Sequence, residues 1–286
     1  MRKVMIIGDS TCDLPPEWRE KLNVGFMPLP VNVGIEPRLD MFDVFPEEIF
    51  DYFKRTGTLC TTSAPNALDY IEFWTKVREQ DPDCDILHFH ISSAMTITHA
   101  ACVEATQEFE NVWSIDTKSV SAGVAVLLLE ACRLRDEGKS AQEIFDAVEA
   151  MKPRVKIGFV LDSVEFLYKG GRCTGLQAFG ANLLGLHPFI SMVDGVLAPG
   201  KKYRGNLKSV YKNLIADVLG NPAIKIENDR LFVANTSPDE ETNAYLLETI
   251  RAVRPELKEI IFTQPGCSVS VHCGPNTVGL AFLLKE

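Results

Sequence analysis

The sequence lacks an excess of positive charge and long apolar runs. Its 29 Lys and Arg residues are outnumbered by 39 Asp and Glu, which gives a net charge of −10 with histidine neutral. Such an acidic chain is poorly suited to non-specific nucleic-acid binding or to an anionic membrane surface. No apolar run approaches the ~20 residues of a membrane-spanning helix, and the strand-like run Val4–Ile7 is too short for a signal-peptide core. We therefore expect a cytoplasmic protein that neither spans a membrane nor binds nucleic acid.

Motifs of several enzyme classes and metal sites are also absent. The eight cysteines are scattered, with no Cys-x-x-Cys pair and no Cys/His cluster at zinc spacing. We therefore expect reduced thiols, no metal and no cofactor. The sequence contains no G-x-S-x-G, no H-E-x-x-H and no G-x-G-x-x-G. These absences weaken hydrolase, protease and dinucleotide-binding interpretations.

The composition is that of a globular protein, with 286 residues of which 46% are hydrophobic, and this length suits one large or two modest domains. In residues 1–155, short apolar strands alternate with helices, which predicts a three-layer α/β/α domain with a mostly parallel sheet. Residues 156–286 hold more strands and only two clear helices, which predicts an α+β domain with a mixed sheet. The predicted fold class is therefore α/β. The predicted elements include strands Ile86–Ile91, Glu259–Thr263, Ser268–His272 and Val278–Leu284; helices over 13–21, 96–109, 124–136 and 206–219; capping boxes at Ser140–Glu143 and Ser237–Glu240; and a hairpin turn at Asp194-Gly195.

Three hydroxyl-rich turns lie next to predicted strands and helices, at residues 8–13, 61–65 and 92–96. In a parallel sheet, ligands bind beyond the carboxyl ends of the strands. Ser and Thr residues before a helix offer hydroxyls and free N–H groups that suit an anion. Each hydroxyl taken alone is explained by helix capping, whereas the three turns together indicate a small-anion site, and both interpretations stay open.

Two further side chains are candidates for such a site. Arg172 follows Gly170 and Gly171 in a predicted loop, which suggests a backbone turned to present the guanidinium; the alternative is an ordinary surface charge. His272 lies at a predicted strand end before a turn. Near neutral pH it could donate to a carboxylate or a phosphate, or it could serve as a hydrogen-bonded structural residue.

Seven motifs stand in the order found in one known family. They are Asp9–Leu14, Thr62–Pro65, Ser92–Thr96, Leu167–Arg172, His187–Ile190 with Asp194-Gly195, Lys202–Arg204 and Gly266–Pro275. Each is weak alone, but the ordered set spans essentially the whole chain, and the sequence resembles the DegV family. The resemblance implies a long-chain fatty acid, such as palmitate or another C14–C18 acid, bound between the two domains. Some members are the carrier subunit of bacterial fatty acid kinase. For this chain the resemblance implies no catalysis of its own and a separate ATP-dependent kinase as partner.

The resemblance also assigns roles to individual residues. Thr62 matches the threonine that bonds the fatty-acid carboxylate, and Thr96 falls where the family has the serine of a Ser-Gly-Thr turn. Ser93 lies in that same turn, and His272 matches the histidine near the head group. Arg172 matches the arginine that acts with the kinase partner or on the product rather than in lipid binding.

Four positions depart from the family pattern. Ile97 replaces a glycine, Ala64 a glutamine, Asn276 a glycine or small residue, and His187 a lysine. Ile97 is expected to crowd the tunnel near the carboxylate and so to alter which acids fit.

A carrier must enclose the acyl chain in an apolar cavity, because a chain left in water forfeits the hydrophobic driving force. The tail pocket should be lined by aliphatic and aromatic residues from both halves of the chain. The candidates are Phe26, Met27, Phe166, Leu167, Phe189 and Ile190.

Two other functions remain open at this stage. One is a stand-alone enzyme that acts on a small phosphorylated or carboxylated metabolite through Asp9, Ser93 and His272. The other is a regulatory module that senses lipid without a kinase.

Overall fold

The computed structural model describes residues 2–173 and 185–286 and shows an α/β fold. The first part of the chain forms, in order, β1 (Val4–Asp9), α1 (Pro16–Lys21), β2 (Val24–Met27), β3 (Pro30–Val33), β4 (Glu36–Leu39), α2 (Pro46–Thr56), β5 (Thr61–Thr62), α3 (Ala67–Gln80), β6 (Asp85–His90), α4 (Thr98–Ala105), β7 (Val112–Asp116), α5 (Ala122–Asp136) and α6 (Ala141–Met151). The second part forms β8 (Val155–Val160), α7 (Glu165–Gly170), β9 (Leu186–Val193), β10 (Val196–Arg204), α8 (Leu207–Leu219), β11 (Arg230–Asn235), α9 (Glu240–Val253), β12 (Glu259–Thr263), α10 (Cys267–Cys273) and β13 (Val278–Leu283). Within these described ranges, no helix is long and apolar enough to cross a bilayer.

The first sheet contains four parallel strands in the order β2-β1-β6-β7. Its central strands are largely buried and mainly apolar, with His88 and His90 as buried polar residues on β6, and Ile6 pairs with Leu87 in the β1–β6 register. Near-continuous apolar strands are typical of parallel sheets that are covered on both faces. The prediction of a mainly parallel sheet in the first half is therefore confirmed.

The second large sheet is mixed, with six strands in the order β10-β9-β8-β13-β11-β12. Only its β11–β12 pair is parallel among the described strands, and the other neighbours are antiparallel. A third, small sheet joins β4, β3 and β5 in antiparallel fashion and places Thr62 opposite Val31. The mixed sheet agrees with the prediction for the second half, whereas the small sheet was not predicted.

Helix α5 connects the two large sheets. Nearly all of its side chains between residues 122 and 134 are buried, and it packs on β1 as well as on β8 and β13. One core cluster accordingly contains Ile6 and Leu87 of the first sheet together with Phe232 and Ala281 of the second. The six-stranded sheet is built from residues 155–283, and a domain boundary near residue 155 stays a prediction.

The predictions that depend on neighbouring residues, a capping box and a hairpin turn, agree with the structure. The Ser140 capping box is present, with Ser140 Oγ accepting from Glu143 N and the Glu143 carboxylate accepting from Ser140 N. The hairpin turn at Asp194-Gly195 is confirmed as well, and both residues have positive φ, at 51° and 82°. Two-residue hairpin turns of this kind require positive φ at both positions.

Several predicted elements were wrong. The run Ser268–His272 is part of helix α10 and not a strand, and α7 includes Gly170, which was predicted to lie in a loop. The second half therefore has more helices than the two predicted. Helix α9 is capped by Asp239, which accepts from Thr242 N, and not by Ser237.

Two helices of the first half begin later than predicted. Helix α1 starts at Pro16, because Asp13 has a left-handed backbone with φ of 48° and Pro15 is extended with ψ of 146°. Helix α4 starts at Thr98, whose backbone N–H donates to Thr96 Oγ1 at 3.3 Å. Hydrogen bonds of this type, from a backbone N–H to a nearby side chain, compete with helical hydrogen bonds before the first turn of a helix.

Candidate functional site

Two adjoining cavities lie between the first and second halves of the chain. One is apolar, with about 630 Å³ of empty space that includes its opening to solvent. The other is polar, with about 480 Å³ on the same basis. The residues that line both cavities are Ile91, Met95, Arg172, Ser268 and His272. The two cavities therefore lie side by side, one apolar and one polar, and share part of their walls.

The apolar cavity takes its walls from both halves of the sequence. Ile91 and Val120 come from the loops after β6 and β7, whereas Phe159 and Leu197 come from β8 and β10. These side chains are buried and belong to one apolar cluster. The cavity is thus built where the two large sheets meet.

The polar cavity is lined by hydroxyl-bearing residues from all three predicted turns, with Thr11 from the first of them. Thr62 lies on β5, and Thr96 precedes α4. The Oγ1 atoms of Thr96 and Thr98 are 2.8 Å apart. Thr62 Oγ1 lies 3.5 Å from His272 Nε2 on the opposite wall. Three of the residues predicted to bind a carboxylate, Thr62, Thr96 and His272, therefore line one cavity.

His272 lies in the last turn of α10, close against the end of α7. A Cβ added to Gly170 would lie 2.3 Å from His272 Nδ1, so the glycine is what permits this approach. Nδ1 has no hydrogen-bond partner among the described residues. Burial, and secondarily the charge of Arg172, lower the pKa of His272 to about 4. The ring is therefore neutral at pH 7 and offers one N–H donor.

Helix α10 is anchored by buried acids from the first half of the chain. Asp40 accepts hydrogen bonds from Cys267 N at 2.6 Å and Ser268 N at 3.0 Å, and from Ser10 Oγ at 2.7 Å. Asp13 Oδ1 accepts from Gly266 N at 2.8 Å. These acceptors satisfy N–H groups at the start of the helix. The turn at residues 8–13 thus positions the helix that carries His272.

Asp9 belongs to the same turn, and it does not line either cavity. It is fully buried, and its Oδ1 accepts from the backbone N–H of Thr11 at 2.9 Å. Asp9 and Ser93 are not among the described residues that line a cavity with His272. The structure therefore does not bring together the three residues of the stand-alone enzyme interpretation.

Ser93 is separated from the other predicted carboxylate ligands. Its side chain is exposed, and its Oγ accepts from Lys118 Nζ at 2.8 Å. Its backbone N–H donates to Asp116 Oδ1 at 3.0 Å. Ser93 therefore belongs to a surface network, and Thr96 supplies the hydroxyl from this turn to the polar cavity.

Arg172 lies at the rim of both cavities and is exposed. Its Nη1 donates to the carbonyl oxygen of Gly170 at 2.8 Å. Gly171 caps α7 with φ of 68°, which glycine adopts without steric cost. The glycine pair therefore ends a helix, and the guanidinium is turned back over that helix end.

The four departures from the family pattern are accommodated differently. The Ile97 side chain is 72% exposed and does not crowd the cavities, contrary to expectation. Ala64 lines the polar cavity. Asn276 has φ of 57°, a conformation that asparagine tolerates better than most residues. His187 is buried with Nδ1 at 3.2 Å from the carbonyl oxygen of Leu161.

Of the six side chains predicted to line a tail pocket, Leu167 lines the apolar cavity. Phe26 lies elsewhere, with the Arg19 guanidinium stacked 3.8 Å from its ring centroid. Phe166 packs against Phe53, with ring centroids 4.7 Å apart. Neither phenylalanine is among the described residues around the apolar cavity.

The other three candidates are packing residues. Met27 belongs to the cluster around Tyr70 and Trp74, behind the first sheet. Phe189 packs against the cluster of the second sheet. Ile190 belongs to the same cluster as Leu167 but does not line the cavity in the described part of the chain. Aliphatic residues on loops, such as Ile91 and Val120, were missed because no local pattern marks them.

The fold and site define an α/β protein that holds an apolar cavity beside a polar one. The profile of the DegV family matches residues 3–285. A DegV domain-containing protein of Clostridium acetobutylicum is 30% identical over 288 residues, 100% of each chain. A fatty acid-binding protein of Thermotoga maritima is 31% identical over 291 residues, 99% of each chain. The structure also resembles a fatty-acid-binding DegV family protein from Thermus thermophilus, with a TM-score of 0.87, 27% identity and complete coverage of both chains. The chain belongs to the DegV family.

Proposed function

We propose that this protein binds a long-chain fatty acid and presents its carboxylate to a separate ATP-dependent kinase. The acyl chain occupies the apolar cavity, and the carboxylate lies in the polar one. The proposal is carried by the adjacency of the two cavities, which share His272 and Ser268 in their walls. It draws further support from the relatives described as fatty-acid-binding. A cytoplasmic location belongs to this proposal, and free, buried thiols such as those of Cys12, Cys84 and Cys132 fit a reducing compartment.

Burial of the acyl chain supplies the affinity in this proposal. A C16 acid buries about 15 carbons at roughly 0.8 kcal/mol each, a gross gain of ~12 kcal/mol. Ordering of the ligand removes much of it, yet sub-micromolar binding remains attainable. The protein carries a net charge of −10 and repels an anion at long range. The hydroxyls and His272 are therefore needed only to satisfy the carboxylate once it is inside.

The direct experiment is organic extraction of the purified protein followed by mass spectrometry. The proposal expects about one long acyl chain per protein molecule. An extract without acyl chains, together with no binding of added palmitate, contradicts it. A small polar metabolite in the extract would favour the stand-alone enzyme.

The head-group assignment is tested by Thr62→Val, with Thr61→Val as the matched control. Thr61 precedes Thr62 on β5, so its side chain points to the other face, where its Oγ1 accepts from Asn32 Nδ2 at 3.3 Å. Loss of a hydrogen bond to a charged group costs about 1.5–3 kcal/mol. Palmitate affinity measured by calorimetry should fall by about 10- to 150-fold in Thr62→Val. Equal affinities of the two variants would show that Thr62 does not bind the carboxylate.

An assay of acyl-phosphate formation distinguishes a carrier for a kinase from a lipid sensor. With ATP, loaded protein and a fatty acid kinase chain, the proposal expects acyl-phosphate. If lipid is bound and no acyl-phosphate forms with any such chain, the sensor is the better interpretation. Lipid binding is measured in the same samples, so the two parts of the proposal fail separately.

A further inference from the structure

Helix α7 packs against the end of α10 through two contacts that each involve a glycine. A Cβ added to Gly170 would lie 2.3 Å from His272 Nδ1. One turn earlier on α7, the ring of Phe166 lies against Gly274, where an added Cβ would be 2.6 Å from Phe166 Cδ2. Both gaps are too small for a side chain, which restricts how α7 can lie along α10. Neither contact is a hydrogen bond, so neither has the directional preference that would fix the position of α7.

A polar contact continues the same line beyond the start of α7. Asp162 lies in the loop between β8 and α7, and Asn276 lies in the turn between α10 and β13. Asn276 Nδ2 donates to Asp162 Oδ2 at 3.0 Å. Positions 170, 166 and 162 therefore contact positions 272, 274 and 276 in antiparallel order. Because a hydrogen bond to a carboxylate is strong and directional, this contact can fix the register of the two segments.

The backbone of Asn276 is held by elements other than α7. Its N–H donates to Ser237 Oγ at 3.1 Å, and its carbonyl oxygen accepts from the hydroxyl of Tyr211, on α8, at 2.8 Å. Its φ of 57° is left-handed, a conformation that asparagine tolerates and glycine adopts freely. The turn is thus anchored independently of α7, and the side-chain amide is the group of Asn276 that reaches the segment before this helix.

The two oxygens of Asp162 face different neighbours. Oδ2 accepts from Asn276, whereas Oδ1 lies 3.6 Å from His187 Nδ1. That nitrogen lies closer to the carbonyl oxygen of Leu161, at 3.2 Å. Since a carbonyl oxygen can only accept, a proton on Nδ1 is directed to Leu161. A substitution of Asp162 therefore disturbs two contacts, whereas a substitution of the Asn276 side chain disturbs one.

We propose that Asn276 is a positioning residue, which sets the register of α7 against α10 and so holds His272 and Arg172 in place for the fatty-acid carboxylate. Helix α10 carries His272, and Arg172 is tied to the end of α7 by its bond to the carbonyl oxygen of Gly170. The role deepens the proposed function and rests on it, since the carboxylate is the ligand that the register serves. Asn276 and Asp162 are 114 positions apart, so no local pattern predicts their contact.

Asn276→Gly isolates the side-chain amide. Glycine keeps the left-handed turn and both backbone hydrogen bonds while the bond to Asp162 is lost. The dissociation constant for palmitate should rise by about 3- to 10-fold in calorimetric titrations. Ser140→Ala removes a side-chain hydrogen bond at the start of α6 and controls for a general loss of stability, so it should bind palmitate as wild type does. Wild-type affinity in a folded Asn276→Gly protein overturns the inference.

Variants of Asp162 test whether the two side chains act as a pair. Asp162→Asn keeps an oxygen that can accept from Asn276, so palmitate affinity should stay within about twofold of wild type. Asp162→Ala removes the acceptor and should weaken binding at least as much as Asn276→Gly. The double variant Asn276→Gly/Asp162→Ala should bind no more weakly than Asp162→Ala alone. Additive losses would show that the two side chains act separately and would overturn the pairing.

The ring of His272 reports the register in protein without lipid. Its Cε1–H resonance in carbon-13 spectra, assigned by its absence in His272→Gln, should shift in Asn276→Gly and stay in place in Ser140→Ala. An unchanged resonance in Asn276→Gly overturns the inference even where palmitate affinity falls. A wild-type protein that binds no palmitate contradicts the proposed function, and the resonance still tests the register in that case.

Discussion

Gly170→Ala should weaken fatty-acid binding without removing any polar group. The added Cβ would lie 2.3 Å from His272 Nδ1, 3.2 Å from Cε1 and 3.4 Å from Cγ. Ordinary van der Waals contact begins near 3.4 Å, so the ring or the end of α7 must move by about 1 Å. Thr62 Oγ1 lies 3.5 Å from the same ring and limits movement on the other side.

The expected loss follows from hydrogen-bond geometry. An N–H···O bond has a donor–acceptor distance of about 2.7–3.2 Å, and a displacement of about 1 Å breaks it. Loss of one bond between His272 and the carboxylate costs about 1.5–3 kcal/mol. The dissociation constant for palmitate should therefore rise by about 10- to 150-fold.

Calorimetric titration with palmitate measures this loss, and circular dichroism checks the fold. Gly171→Ala is the matched control, because a Cβ at Gly171 meets nothing within 4 Å. Its φ of 68° makes alanine unfavourable there by about 1 kcal/mol, so this variant should lose stability and keep its affinity. Wild-type affinity in a folded Gly170→Ala protein would refute the placement of the carboxylate beside His272. Equal losses in the two variants would attribute the effect to the helix end.

Three further predictions concern the partner, the anchor of α10 and pH. Arg172→Ala should leave palmitate affinity within about twofold of wild type and reduce acyl-phosphate formation with the kinase chain; a large affinity loss would contradict its role at the rim. Asp40→Ala leaves Ser10 Oγ, Cys267 N and Ser268 N without their acceptor, and it should lower the free energy of unfolding by about 2–4 kcal/mol in urea titrations. The control Asp51→Ala removes an exposed carboxylate and should lower it by about 0.5 kcal/mol. The pKa of His272 is lowered to about 4 in the folded state, so between pH ~6.5 and pH 4 the unfolded chain binds a proton that the folded chain does not. The free energy of unfolding should therefore be unaffected by this group above pH ~6.5 and should fall by up to about 3 kcal/mol as the pH falls toward 4. His272→Gln should show a correspondingly smaller fall in unfolding free energy between pH 7 and pH 5, and an unchanged fall would contradict that pKa.

Features that depend on adjacent residues could be read from the sequence. The Ser140 capping box and the Asp194-Gly195 hairpin involve contacts within a few residues, and both are present. The strand β6 was predicted from its apolar run and differs by one residue at each end. The alternation of strands and helices in the first half led to the correct parallel sheet.

Features that depend on distant residues could not be predicted. The run Ser268–His272 alternates polar and apolar residues as a strand does, yet it is helical. Its first N–H groups donate to Asp40, which is 227 residues away from Cys267. Ser93 was grouped with Thr96 because they share a turn, but Lys118 binds its hydroxyl instead. In each case the partner that decides the outcome comes from another part of the fold.

The charges of the site suit the proposed carrier, which would present the carboxylate end of its ligand to another protein. The polar cavity presents hydroxyls and a neutral His272, and the cation on its lining in the described chain is the exposed Arg172 at the rim. A buried cation would hold a carboxylate tightly, because charge-assisted bonds strengthen away from water. A neutral donor satisfies the carboxylate without trapping it, while the buried tail supplies most of the affinity. A second chain could then approach the head group at the rim, where the guanidinium of Arg172 is available to an incoming phosphate.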